Sequence, residues 1–103
     1  MNPERVQYEP GTVLSYVYVG NEANTTRYLM VIENSSKTNL PRIITLKKTI
    51  SGDPIIPEED LASLVRSEKK FNYLHWDERH GIYRYQHKPV SLYKLEKTTE
   101  SKA

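Results

Sequence analysis

Several short runs rich in β-branched and aromatic residues divide their side chains between two faces with a period of two. Residues 12–19 (TVLSYVYV) place Val13, Val17 and Val19 on one side and Leu14, Tyr16 and Tyr18 on the other. β-Branched and aromatic residues favour a strand, and apolar groups on both sides predict that neither face is freely solvated. A Pro10-Gly11 turn precedes this run and a polar turn, 20–25 (GNEANT), follows it. Residues 26–33 (TRYLMVIE) contain five consecutive apolar or aromatic positions, Tyr28 to Ile32, and predict a second strand. After a loop over 34–39, residues 42–50 (RIITLKKTI) predict a third, with Ile44, Leu46 and Ile50 sharing one face.

The pattern then changes. Leu61, Leu64 and Val65 follow the 3.6-residue period of an apolar helical stripe. Pro57 suits a first helical turn. Glu58, Glu59 and Asp60 suit the positive end of the helix dipole, and Lys69 and Lys70 the negative end. These signals predict one helix over about 57–70. Beyond it, 72–76 (NYLHW) and 82–86 (IYRYQ) read as a hairpin around a loop DERHG, closed by Trp76 opposite Ile82. Lys88-Pro89 interrupts the pattern and 90–96 (VSLYKLE) predicts a final strand.

The expected fold class is therefore α+β, mostly β. It is a small bent antiparallel sheet or SH3-like partial barrel of five to six strands, with the helix between strands three and four. The stretch PGTVLSYVYVGN…RYLMVIEN resembles the first hairpin of small SH3-like barrels, including KOW modules and MazF-type ribonuclease toxins. The likeness covers about a quarter of the chain and rests on strand pattern and one Pro-Gly. It implies a fold and assigns no site residue.

Length and composition narrow the function. A chain of 103 residues fits one small domain over 1–103, with 1–7 and 98–103 expected to fray. There is no cysteine, which excludes disulfides, thiolate metal sites and a cysteine nucleophile. No apolar run approaches the length of a transmembrane helix and no signal peptide is evident, so a cytoplasmic location is the default expectation. Four scattered glycines form neither a phosphate loop nor a dinucleotide fingerprint, so no cofactor is expected. Asn24-Thr25-Thr26 and Asn34-Ser35-Ser36 match a glycosylation sequon but, with no secretion signal, read as turns. Charge is uneven: residues 1–65 carry six basic and eight acidic side chains, a net of −2, and 66–97 carry eight and four, a net of +4. A basic half can meet a polyanion.

In the expected hairpin register, Phe71, Tyr73, His75, Tyr83, Tyr85 and His87 share one face, flanked by Arg79, Arg84, Lys88 and Lys94. Aromatic rings among cations could stack the bases of a single strand, or anchor a protein partner. The same rings would serve equally as cross-strand pairs inside a sheet. The expected site is Tyr73, His75, Arg79, Tyr83, Arg84, Tyr85, His87 and Lys88. The expected function is a small non-catalytic binding or regulatory protein, of the kind phages and mobile elements use as regulators and inhibitors. It contacts single-stranded RNA or DNA, or a protein, and no membrane.

The alternative is a small ribonuclease-like toxin, with His80 or His75 as base and Arg79 or Arg84 as the phosphate-binding cation. A third reading buries both aromatic faces against copies of the chain. The run HWDERH offers possible metal ligands, but its spacing is not a zinc-protease motif. His75 and His87 would lie about 13 Å apart along the strands, too far to share an ion.

Overall fold

β2 (Asn24–Asn34) is the middle of the molecule because its apolar run has two faces to bury. Leu29 and Val31 point to one side and Met30 and Ile32 to the other, and all four are buried. In the computed structural model, which describes residues 5–95, β2 pairs antiparallel with β1 (Val13–Val19) and with β3 (Pro41–Thr45). A two-residue strand β7 (Tyr93–Lys94) adds to the outer side of β1, giving a four-stranded sheet in the order β3-β2-β1-β7. A second sheet has three strands, β4 (His75–Asp77), β5 (Ile82–Tyr85) and β6 (Lys88–Val90), also antiparallel.

The two faces of the large sheet meet different partners. On one side Leu14, Tyr16, Leu29, Val31 and Ile43 pack with Leu74 and Tyr83 of the small sheet region. On the other, Met30, Ile32 and Leu46 pack with Leu64 of the helix α1 (Leu61–Ser67). Each fully buried aliphatic side chain contributes about 1.5–3 kcal/mol relative to exposure. The sheets are also joined through backbone. The chain before β4 docks on the free edge of β3, with Ile43 N–H donating to Asn72 and Leu74 N–H to Pro41. The chain after β6 docks on β1 as β7. The result is the small, bent, mostly β α+β architecture expected, in two sheets that do not close into a barrel.

Several boundaries differ from the expectation for identifiable reasons. The helix spans 61–67, not 57–70. Asp60 is its N-cap, accepting from the Ser63 N–H at 2.8 Å, so Pro57 to Glu59 lie ahead of it. Its far end is set by Arg42, whose guanidinium takes the carbonyls of Val65, Glu68 and Lys70. Lys69 and Lys70 therefore fall outside the helix, and Arg66 is the only basic residue in its last turn. The third strand ends at Thr45, and Ile50 lies fully exposed in a tight excursion closed by Lys48 and Pro54. Within 5–7, the Tyr83 hydroxyl donates to the Val6 carbonyl and Arg5 to the Thr38 carbonyl. Residues 1–4 and 98–103 lie outside the described residues.

The final strand is in fact two. Gln86 and His87 both adopt positive φ, 52° and 72°, and turn the chain directly from β5 into β6. Two consecutive positive φ values make a type I′ hairpin turn, which ordinarily uses Asn-Gly. Pro89 is tolerated because β6 is the outer strand of its sheet. Replacing Gln86-His87 with Asn-Gly is expected to raise stability by about 1 kcal/mol, because non-glycine residues are strained in this region. Thermal unfolding would read this as a Tm rise of about 4–8 °C. An unchanged Tm would show that the turn carries no strain.

Candidate nucleic-acid interface

The hairpin expected to carry the site is one residue out of the expected register. Asp77, not Trp76, pairs with Ile82, so Trp76 lies opposite Tyr83 and His75 opposite Arg84. Asp77 ends its strand because it is a turn former. Its carboxylate accepts from the His80 N–H at 3.1 Å, its carbonyl from Gly81 N–H at 2.7 Å, and Gly81 supplies φ +66°. A shift of one residue sends every side chain of β4 to the opposite face. Trp76 consequently packs edge-on against Tyr83, ring centres 5.0 Å apart, and His75 faces outward.

The expected all-aromatic platform is therefore divided. Tyr83 is buried in the core, its ring 5.7 Å from Tyr8, and burial pushes its phenol up to about 12. Tyr73 is half-buried beside Arg42 at the edge of β3. Arg84 is committed to Asp77 at 2.8 Å and to the His87 carbonyl at 3.1 Å. His75, Arg79 and His87 are exposed. Tyr85 and Lys88 pair across β5 and β6, and both also meet side chains of β1.

That meeting place follows from the short reach of β7. It pairs only with Leu14 and Ser15, so the second half of β1 runs on without it. Between this half of β1 and the β5–β6 turn lies a cleft of about 370 Å³, lined by Tyr16, Tyr18, Arg27, Tyr85, Lys88 and Val90 among others. It joins a second, of about 710 Å³, along the end of β3, where Lys47 and Lys48 are added. Tyr16, Arg27, Tyr85 and Gln86 line both. Period-two alternation puts Tyr16 and Tyr18 on the same side of β1, and Arg27 sits directly across from Tyr16 on β2. The Tyr85 ring packs edge-on against Tyr16, centres 6.3 Å apart.

The electrostatics are one-sided. The Arg27 guanidinium carbon lies 3.7 Å from the centre of the Tyr18 ring and the Lys88 ammonium 5.9 Å from it. Lys48 donates to the Thr26 carbonyl at 2.9 Å, which holds its charge at the rim. No carboxylate lines either cleft among the described residues. Arg27 and Lys88 thus line the first cleft with Tyr16, Tyr18 and Tyr85, and Arg27, Lys47 and Lys48 line the second with Tyr16 and Tyr85. No protein-family model matches the chain, and no curated protein or solved structure matches it significantly. The functional reading rests on this geometry.

Asp77, the last residue of β4, has a structural task. Asp77 accepts from Arg84 and pairs with the His80 ring at 2.9 Å. The Arg84 hydrogen bond, then that of His80, hold its carboxyl well below the usual carboxylate range. A depressed folded value stabilises the fold above the unfolded pKa of about 4, and that contribution is lost as pH falls through the folded value. Urea unfolding from pH 5 to pH 2 is expected to show a steeper loss of stability for the wild type than for Asp77→Asn. Parallel curves would remove this ion network from the acid response.

Sequence reasoning passed over Tyr16, Tyr18, Arg27, Lys47 and Lys48 as site residues. The available signal was the Tyr16-Val17-Tyr18 alternation, which places two phenols on one face. Nothing local links it to Lys47 or Lys88.

Proposed function

We propose that this protein is a non-catalytic binding protein that takes single-stranded nucleic acid in the joined clefts. The observation that carries this reading is that Tyr16, Tyr18 and Tyr85 line the two clefts together with Arg27, Lys47, Lys48 and Lys88, with no carboxylate lining either among the described residues. Cations in a groove track a phosphate backbone, and aromatic rings stack bases that are free of pairing. A base stacked on Tyr85 or Tyr18 would contribute about 1–3 kcal/mol. Duplex bases offer no face to such rings, so the chemistry favours single strands. Membrane spanning enters no part of this reading: among the described residues no helix is long and apolar enough to cross a membrane.

The position of the histidines favours binding over the ribonuclease alternative. Neither cleft is lined by His75, His80 or His87, and the His80 ring is engaged by Asp77. A backbone held in the clefts would have no imidazole beside it to act as a base.

The test is fluorescence anisotropy with labelled single-stranded RNA, single-stranded DNA and duplex DNA across a salt series. Single strands are expected to bind more tightly than duplex. With four cations engaged, log K should fall against log salt with a slope of about −3, since each phosphate neutralised on a single strand contributes about −0.7. Absence of binding at low salt would overturn the proposal, and release of a cleaved product would return the ribonuclease reading.

A further inference from the structure

The other end of β1 borders a groove of opposite character. Val13, Met30, Ile56, Pro57, Leu61 and Leu95 line it, around a volume of about 700 Å³. Val13, Met30 and Leu61 belong to the packed cluster between sheet and helix. Ile56 and Leu95 are left 51% and 40% exposed, and the neighbouring Ile55 46%. Aliphatic side chains gathered around an open trough are a feature of interaction surfaces. The lip beside α1 is acidic. Glu59 and Asp60 line it and exposed Glu58 precedes them, and among the described residues no basic side chain lines the groove itself. Asp60 is kept ionised by the Ser63 N–H at the start of α1. The groove is therefore preformed, apolar within and anionic at one lip.

We propose that this groove docks a basic amphipathic segment of a protein partner, with aliphatic or aromatic side chains seated against Met30, Ile56 and Leu61 and flanking Lys or Arg facing Glu59 and Asp60. Charge complementarity selects this occupant. A nucleic acid would meet repulsion at the rim, and an acidic peptide likewise. Apolar anchors in a groove with charged flanks are a recurring mode of peptide capture. The inference goes beyond the nucleic-acid reading and stands whether or not that reading survives, because the two surfaces share no lining residue.

A random peptide library selected on the immobilised full chain tests it. Enriched peptides are expected to combine two or three aliphatic or aromatic residues with flanking Lys or Arg. Peptides captured by the basic clefts would be acidic, so the sign of their charge separates the two surfaces. A synthetic peptide from the enriched set should bind about tenfold more weakly to Glu59→Lys and to Ile56→Asp, with affinity unchanged by Arg27→Glu. Both positions are exposed, and circular dichroism would verify that each variant folds. Enrichment of neutral or acidic peptides only, or affinity unaffected by both variants, would overturn the proposal. So would a concentration-dependent dimer abolished by Glu59→Lys, which would place a second copy in the groove.

Discussion

Arg42→Ala is expected to destabilise the fold by about 3–5 kcal/mol, the range seen when one partner of a buried charged network is removed. Arg42 is 1% exposed, yet it carries a full charge. A bulge in β2 makes this possible. The β2–β3 register shifts between Val31 and Glu33, and the shift sets Glu33 opposite Arg42, where carboxylate and guanidinium meet at 2.8 Å. Arg42 Nη2 closes the end of α1, donating to the Glu68 carbonyl at 2.9 Å and the Lys70 carbonyl at 3.2 Å, and Nη1 also reaches the Val65 carbonyl at 3.5 Å. Phe71 stacks over the group, its ring centre 4.2 Å from the guanidinium carbon.

Alanine would leave these carbonyls without their donor and open a cavity beneath Phe71. At about 4–8 °C per kcal/mol for a domain of this size, Tm should drop by at least about 12 °C. Arg42→Lys should fall between, because one ammonium cannot reproduce the planar fork. Glu33→Gln should cost least, since that side chain is 37% exposed and water can replace its partner. A loss below about 1 kcal/mol for Arg42→Ala would show that the helix end is held by other contacts.

The second large effect concerns binding. Arg27→Glu combined with Lys88→Glu is expected to weaken single-strand affinity on the order of 100-fold at low salt. The two cations sit on different elements but share the Tyr18 ring, so their removal takes two of four phosphate partners from one cleft. Reversal adds repulsion, and the salt slope should flatten from about −3 towards −1.5. Both side chains are exposed and neither makes a salt bridge among the described residues, so unfolding curves should barely move. An unchanged slope would place any phosphate contacts elsewhere, with exposed Arg79 as the first alternative.

Some of this was legible before any coordinates. The opposition of Leu14, Tyr16 and Tyr18 to Val13, Val17 and Val19 on β1 follows from alternation alone, and the first group does face the core between the sheets. The Tyr28–Ile32 run demanded burial on both faces, and it is the strand with a cluster on each side. Leu61, Leu64 and Val65 located the helix. By contrast, Lys88-Pro89 read as a break, although an outer strand accepts proline. The hairpin register also escaped sequence reading, because it depends on whether Asp77 joins the strand or the turn. Here Asp77 does both, pairing with Ile82 while its carboxylate and carbonyl hold the turn and Arg84.

Strand and helix identity were thus determined by the sequence itself, because side-chain alternation and helical periodicity are local properties of consecutive residues. The burial of Arg42, the separation of Tyr83 from Tyr85, and the gathering of Tyr16, Arg27, Lys47 and Lys88 around one opening were decided only by tertiary structure. These depend on which strands become neighbours and in what register. That choice is made by packing the small sheet and the helix against the two faces of β1, β2 and β3, and a one-residue shift in it exchanges the residues that face the core for those that face water.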